Sequence, residues 1–372
     1  MSSPAPILVT SSAQLKECAG KLAGAARYYL DTEFDFAGPA KKLCLIQIWT
    51  GSGDIFLIDT IALAALEPLA SAISRPETEW IVHAGDQDVA LLREALHLDS
   101  TPRLFDTQVA WGLQGAEYPV SLAYLLYRIL GIRSAKSEQA GPWMTRPLTQ
   151  EQILYAASDV DHLPALRDWL AKRLGELGRE SLATDVSAET VLREAAPPLS
   201  IDDFRNAWQL DAAGQAVLQH LIAWWNGLPA AEQKEGPQPK LFLTLAKVIP
   251  ETGAELAQIR GIFFPWAKRH GDAFTGKLVR VSAAASREGF VPLEPPPYNT
   301  FERILAEGWI RKAAAEVSAE QGVAPELAFP ERLMRKMIEA VDEKKTRTSA
   351  AELLTGWRER LLRQPFLART PG

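Results

Sequence analysis

The sequence predicts an α/β domain with a mixed β-sheet, followed by two small all-α modules. Short β-rich runs alternate with helical spacing through the first half of the chain. Strand signals fade from about Leu199 onward, and proline-rich breaks divide the remainder of the chain. With 372 residues, the chain is also longer than one hydrophobic core usually serves.

Taken in order, "YYLDTEF", "LCLIQIW" and "DIFLID" are β-rich runs separated by Gly, Pro and Ser, the pattern of a strand meander. "EWIVHAG" (79–85) is a further strand. The "DQDVALLREAL" behind it spaces Val89, Leu92 and Leu96 as a helix does, with Asp86 as the expected N-cap. "RLFDTQVAWGLQ" repeats the pattern more briefly. "SLAYLLYRILGI" and "TQEQILYAASDVDHLPALRDWLAKRLGEL" are helical and close the first domain near Leu177. The expected organisation is therefore an α/β domain over 1–177, a linker over 178–198 and a helical module over 199–290. The four-proline linker "VPLEPPPYN" (291–299) and a second helical module over 300–372 complete it.

Hydrophobic residues make up 47% of the chain and charged residues 23%, which suits an ordinary globular protein. A net charge of −6 excludes a uniformly basic surface but not a local basic stripe. Cys18 and Cys44 lie in apolar surroundings and read as reduced core thiols. No signal-peptide pattern and no uncharged run of membrane-spanning length is present, so a cytoplasmic protein is expected.

Chemistry concentrates at three places. In "YYLDTEFDF", alternation puts Asp31, Glu33 and Asp35 on one strand face. Adjacent carboxylates repel unless a cation lies between them, and oxygen ligands suit Mg²⁺ or Mn²⁺ over zinc. A solvated strand end accommodates the same pair, and from this stretch both readings stand. Asp86 and Asp88 follow a strand end, where α/β domains place ligands, although acids in a first helical turn also serve the helix dipole. Tyr155 and Asp159 are four apart, on one helix face; Asp161 is off it.

The combination and its order resemble the proofreading-type 3′→5′ exonucleases that use four acids and a tyrosine, a ribonuclease H-like fold. "KSEQAGPWMTRPLTQEQILYAASDV" (136–160) is similar to the corresponding segment of bacterial ribonuclease D. "FRNAWQL" and "AKVIPETGAELAQIRGI" resemble its helical HRDC module, and "GVAPELAFPERLMRKMI" with "AELLTGWRERLL" its second, HRDC-like one. The resemblance implies a metal-dependent 3′→5′ exoribonuclease holding two divalent ions, Mg²⁺ or Mn²⁺, with Asp31, Glu33, Asp88 and Asp159 as ligands. Asp88 is preferred to Asp86 by the spacing from "HAG". Tyr155 would position the attacking water, because a phenol is a poor base at neutral pH. Leu154 occupies the position that is histidine in the sister subfamily.

Lys136, Trp143 and Arg146 are implied substrate contacts, with a core or lid place open for Trp143 and a loop brace for Arg146. The implied partner is RNA with a free 3′ end, such as a tRNA precursor, bound by a monomer. A DNA-directed exonuclease and a non-catalytic RNA-binding scaffold are the alternatives. The chain departs from the family at "DFAGPAKKL", where Asp35 is expected past the regular strand in an entry loop. It departs again at Trp224-Trp225, where a Trp-Arg pair is common. "AKRH" (267–270) and "EKKTR" (343–347) are short basic runs that suit either RNA or solvent.

Overall fold

The computed structural model describes residues 5–37, 40–100, 102–133, 141–191, 198–228, 233, 236–285, 293–294, 300–344 and 347–369. It divides into two compact units. One comprises Met1–Asp35, Lys42–Arg193 and Asn299–Gly372; the other comprises Phe36–Lys41 and Glu194–Tyr298.

The first unit is built on a six-stranded sheet: β1 (Pro6–Val9), β2 (Arg27–Ala37), β3 (Ala40–Trp49), β4 (Ile55–Asp59), β5 (Glu79–Val82) and β6 (Arg103–Asp106). The strand order is β1-β4-β3-β2-β5-β6. β3 and β4 pair antiparallel, whereas β1–β4, β2–β5 and β5–β6 are parallel, so the sheet is mixed as predicted. β2 is longer than expected: its aromatic alternation continues through Phe34 and Phe36, and Asp35 lies inside the strand rather than in a loop beyond it.

Alternation along β2 and β3 divides two cores. Tyr28 and Leu30 join Ile46, Ile48 and Trp80 on one face, under helices α1 (Ser12–Leu22), α2 (Glu67–Ile73) and α3 (Asp86–Ala95). Tyr29 joins Leu45, Leu57, Ile81 and Phe105 on the other. Asp31 and Glu33, two and four residues beyond Tyr29, therefore follow it onto that second face.

Two elements escape the sequence prediction at the N-terminus. β1 is only four residues long, and α1 starts from a capping box in which Ser11 and Gln14 each bond the other's backbone N–H. The α3 helix is capped by Gly85 rather than Asp86, which sits in the first turn. Asp106 orders this corner: its carboxylate accepts from Ala84 N (3.1 Å) and Gly85 N (2.9 Å) while capping α4 (Thr107–Gly112) through Gln108 N.

Behind the second face lie α5 (Leu122–Leu125), continued as a π turn to Leu130, then α6 (Gln150–Asp161), α7 (Leu163–Glu176) and α8 (Glu180–Val191). Residues 180–191, expected in a linker, are thus helical. Ala183, Val186 and Ser187 are buried, and Ser187 Oγ accepts Asp106 N at 2.9 Å. The C-terminal helices Phe301–Gln321, Pro325–Ala328, Glu331–Lys344 and Arg347–Glu352 share this core. Ile310, Val317, Leu327 and Met337 cluster with Val109, Leu113, Leu166 and Leu170. Ala324 N donates to Gly112 O at 2.8 Å, and a Cβ at Gly112 would lie 3.0 Å from Leu327 Cδ2 and from Tyr118 Cδ2, so any side chain there must push these neighbours aside. Arg179 donates to the carbonyls of Leu113, Gln321 and Gly322.

The second unit is all-helical. Its core gathers Val217, Leu218 and Leu221 of α9 (Ala212–Gly227) with Phe242, Leu245, Leu256, Trp266 and Phe274. Trp224 packs edge-on to Phe274 and Trp225 to Phe242, so both members of the departing Trp-Trp pair are packing residues. Both cysteines are buried and unpaired, and burial pushes the Cys18 thiol up to about 12. Among the described residues, no helix is long and apolar enough to cross a membrane.

Candidate active site

β2 and α6 bring three acids together. Ligand oxygens of Asp31, Glu33 and Asp159 all lie within 4.8 Å of one another. Asp31 and Glu33 come from alternate positions of one strand. Asp159 comes from an α6 whose start is fixed by a Thr149–Gln152 capping box and whose buried Ala156 and Val160 seat it on the sheet. Asp88 stands at the edge of this group, in the first turn of α3, where its carboxylate accepts a hydrogen bond from Thr32 Oγ1. The threonine between the two strand acids thus faces the opposite way and holds the fourth acid.

Electrostatically the cluster is unsatisfied. Burial, followed by Asp88, Asp159 and Glu33, raises the Asp31 carboxyl well above its usual range. Glu33 is pushed up to about 8 by burial, then by Asp159 and Asp88. Asp159 rises to about 7 through burial, then Asp161 and Asp88, against a Tyr155 hydrogen bond that favours its carboxylate. Burial also raises Asp88, against the Thr32 hydrogen bond. Burial first, then the charge of Asp159, moves the Tyr155 phenol further from ionisation. Among the described residues, no lysine or arginine forms an ion pair with these acids. Two histidines of this domain are engaged elsewhere: His83 lies 2.9 Å from Thr107 Oγ1 and 3.0 Å from Val120 O, and His162 pairs with Asp161 at 3.4 Å. An all-oxygen set with uncompensated negative charge fits a hard divalent cation.

The expected substrate contacts fare differently. Trp143 is buried in the second-face core with its ring 6.3 Å from that of Tyr155, which makes it the floor under the tyrosine. Arg146 directs all five donors into the protein: two to the buried Asp59 carboxylate, one to Cys44 O, one to Trp143 O and one to Thr145 O. It braces the loop before α6 and has no donor left for a phosphate. Lys136 lies outside the described residues, as do the side chains of Lys344 and Lys345. Thr32 and Asp59 escape sequence reasoning because their partners, Asp88 and Arg146, lie 56 and 87 residues away.

A mixed-sheet domain presenting this acid cluster beside a tyrosine defines the class. Residues 6–175 match the 3′-5′ exonuclease family. Over 78% of its length the chain is 30% identical to ribonuclease D of Zymomonas mobilis, covering 75% of that protein. Over 96% it is 27% identical to ribonuclease D of Serratia proteamaculans, covering 97%. The chain belongs to the ribonuclease D family. Its fold is similar to the crystal structure of Escherichia coli RNase D, "an exoribonuclease involved in structured RNA processing". The TM-score is 0.77 at 23% identity, with 98% of each chain covered.

Proposed function

We propose that this chain hydrolyses RNA from the 3′ end to nucleoside 5′-monophosphates, at a site where Asp31, Glu33, Asp88 and Asp159 hold two divalent cations. Mg²⁺ and Mn²⁺ are the candidates. The observation that carries the reading is the trio of raised, mutually repelling carboxylates within 4.8 Å. Such a cluster is costly until a cation compensates it.

Bound there, the ions supply charge neutralisation at the phosphate and a nucleophilic water at neutral pH. The chain's own groups do the rest. Asp31, Glu33, Asp88 and Asp159 would hold the ions, with Asp31 central, Glu33 and Asp159 toward the nucleophile side and Asp88 toward the leaving-group side. Tyr155, kept protonated by burial and by Asp159, retains its hydroxyl proton for hydrogen bonding and orients the attacking water. Trp143 fixes the Tyr155 ring from beneath, and Arg146 fixes the loop that carries Trp143. We assign neither a direct substrate contact. Precursors of tRNA and other structured RNAs are the proposed substrates, in keeping with the structured RNA processing of the Escherichia coli relative. The helices at 199–290 are read as HRDC, and those at 300–372, which share the first unit's core, as HRDC-like.

The test is shortening of a 5′-labelled RNA by the purified chain with Mg²⁺ or Mn²⁺, alongside DNA of the same sequence. RNA shortening that Asp31→Asn abolishes is expected. Equal activity in EDTA, or activity surviving that substitution, sinks the assignment. Equal hydrolysis of DNA redirects it to a DNA exonuclease, because the 2′-hydroxyl is what separates the two.

A further inference from the structure

Gln47 is a fully buried amide at the centre of the sheet. It lies on β3, between Leu45 and Trp49, both of which pack into the second-face core. Alternation therefore turns Gln47 to that same face, where the neighbouring β2 presents Asp31 and Glu33. The Tyr29–Trp49 ring contact, at 6.2 Å, fixes how the two strands face each other just below the acids.

Neither Nε2 nor Oε1 of Gln47 makes a hydrogen bond of ordinary geometry, among the described residues. An orphaned amide in a central strand is expensive: leucine or methionine would fill the space at no such cost. The amide is nonetheless close enough to Glu33 to favour its carboxylate form against burial and the neighbouring acids. It stands beside the ligand without a completed bond, and an unsatisfied buried group of this kind calls for an explanation in a functional role or a bound ion.

We infer that Gln47 is a positioning residue for Glu33: its Nε2–H donates to the carboxylate once a divalent cation is held, fixing the ligand oxygen that faces the cation. This rests on the metal-site reading above. Outer partners that orient metal-binding carboxylates typically contribute about 10–100-fold in metal affinity.

The experiment titrates Mn²⁺ alone into the full chain by calorimetry and follows thermal melting without metal. Gln47→Met fills the volume but removes both polar atoms. It is expected to weaken Mn²⁺ binding about 10-fold or more while raising the metal-free melting temperature, because the orphaned amide is gone. A purely structural amide would instead lower the melting temperature and leave the affinity unchanged. In a Glu33→Gln background the same substitution should cost no further affinity. Gln47→Asn, which withdraws the amide by one methylene, should also weaken Mn²⁺ binding and serves if Gln47→Met does not fold. Mn²⁺ affinity within about two-fold of wild type in the folded variants, or an equal loss in the Glu33→Gln background, overturns the inference. Wild type and Asp31→Asn binding Mn²⁺ alike overturns the metal-site reading and, with it, this one.

Discussion

At the residue scale, the site is a set of groups held away from their preferred protonation states. Glu33 at about 8 and Asp159 at about 7 bind protons in the native chain at pH values where the unfolded chain, near ~4, has released them. The native state then carries more protons than the unfolded state, so stability falls as pH rises. Without metal, the chain should therefore melt at a lower temperature at pH 8.5 than at pH 5.5. Saturating Mg²⁺ should flatten that dependence, and Mn²⁺ affinity should strengthen over the same pH range. A metal-free melting temperature that rises with pH contradicts the cluster electrostatics. With Tyr155 in the proposed role, Tyr155→Phe should remove one hydrogen bond to the attacking water, about 1.5–3 kcal/mol or roughly 10–100-fold in kcat, with a smaller loss of Mn²⁺ affinity through its hydrogen bond to Asp159. Single-turnover rates and calorimetry separate these effects. The three acids that the structure brings together, Asp31, Glu33 and Asp159, are legible in the sequence because each belongs to a local pattern: alternation on a strand, or a four-residue helical repeat with Tyr155. Thr32, Gln47 and Asp59 are not legible, because what each does depends on a partner that the chain brings up from far away.

At the element scale, strands and helices with strong periodicity are readable, and weakly patterned ones are not. β1 is four residues beside a proline, and α8 buries only Ala183, Val186 and Ser187, too few and too small to leave an amphipathic stripe. β2 reads short because the acid row looks like a strand fraying into solvent; its apolar alternation in fact continues past Asp35. The loop before α6 depends on one charge pair. Arg146→Ala would leave Asp59, 1% exposed, as an uncompensated buried charge, a loss of about 3–5 kcal/mol. Denaturant unfolding measures it. Arg146→Lys should recover little, since one ammonium cannot replace a planar fork that meets four acceptor groups. If Arg146→Ala is as stable as wild type but binds RNA poorly, the residue is a phosphate contact after all.

At the scale of the whole molecule, contacts and sequence order part company. The helices from 300 onward, expected to form a module of their own, bury Ile310, Val317, Leu327 and Met337 in the core that also holds Leu166 and Leu170 of α7. Proline-rich linkers mark where a chain is extended, but not which core the next segment joins. Gly112→Val would drive a branched side chain into Leu327 and Tyr118, costing about 1–3 kcal/mol, and melting of the full chain tests it. A chain ending at residue 298 should expose that apolar surface and be recovered as aggregate, or as a species that binds a hydrophobic dye. A truncated chain with wild-type melting and a clean monomer peak excludes the shared core.

That shared core also bears on how the protein is made. All of the acids are translated by residue 159, yet the apolar seat behind them is completed only by the last seventy or so residues. Domains tend to fold in the order in which they emerge from the ribosome, and here the last helices must arrive before the first unit is whole. A chain cut short during synthesis is therefore expected to lack a finished nuclease site, which RNA hydrolysis by the chain ending at residue 298 would contradict.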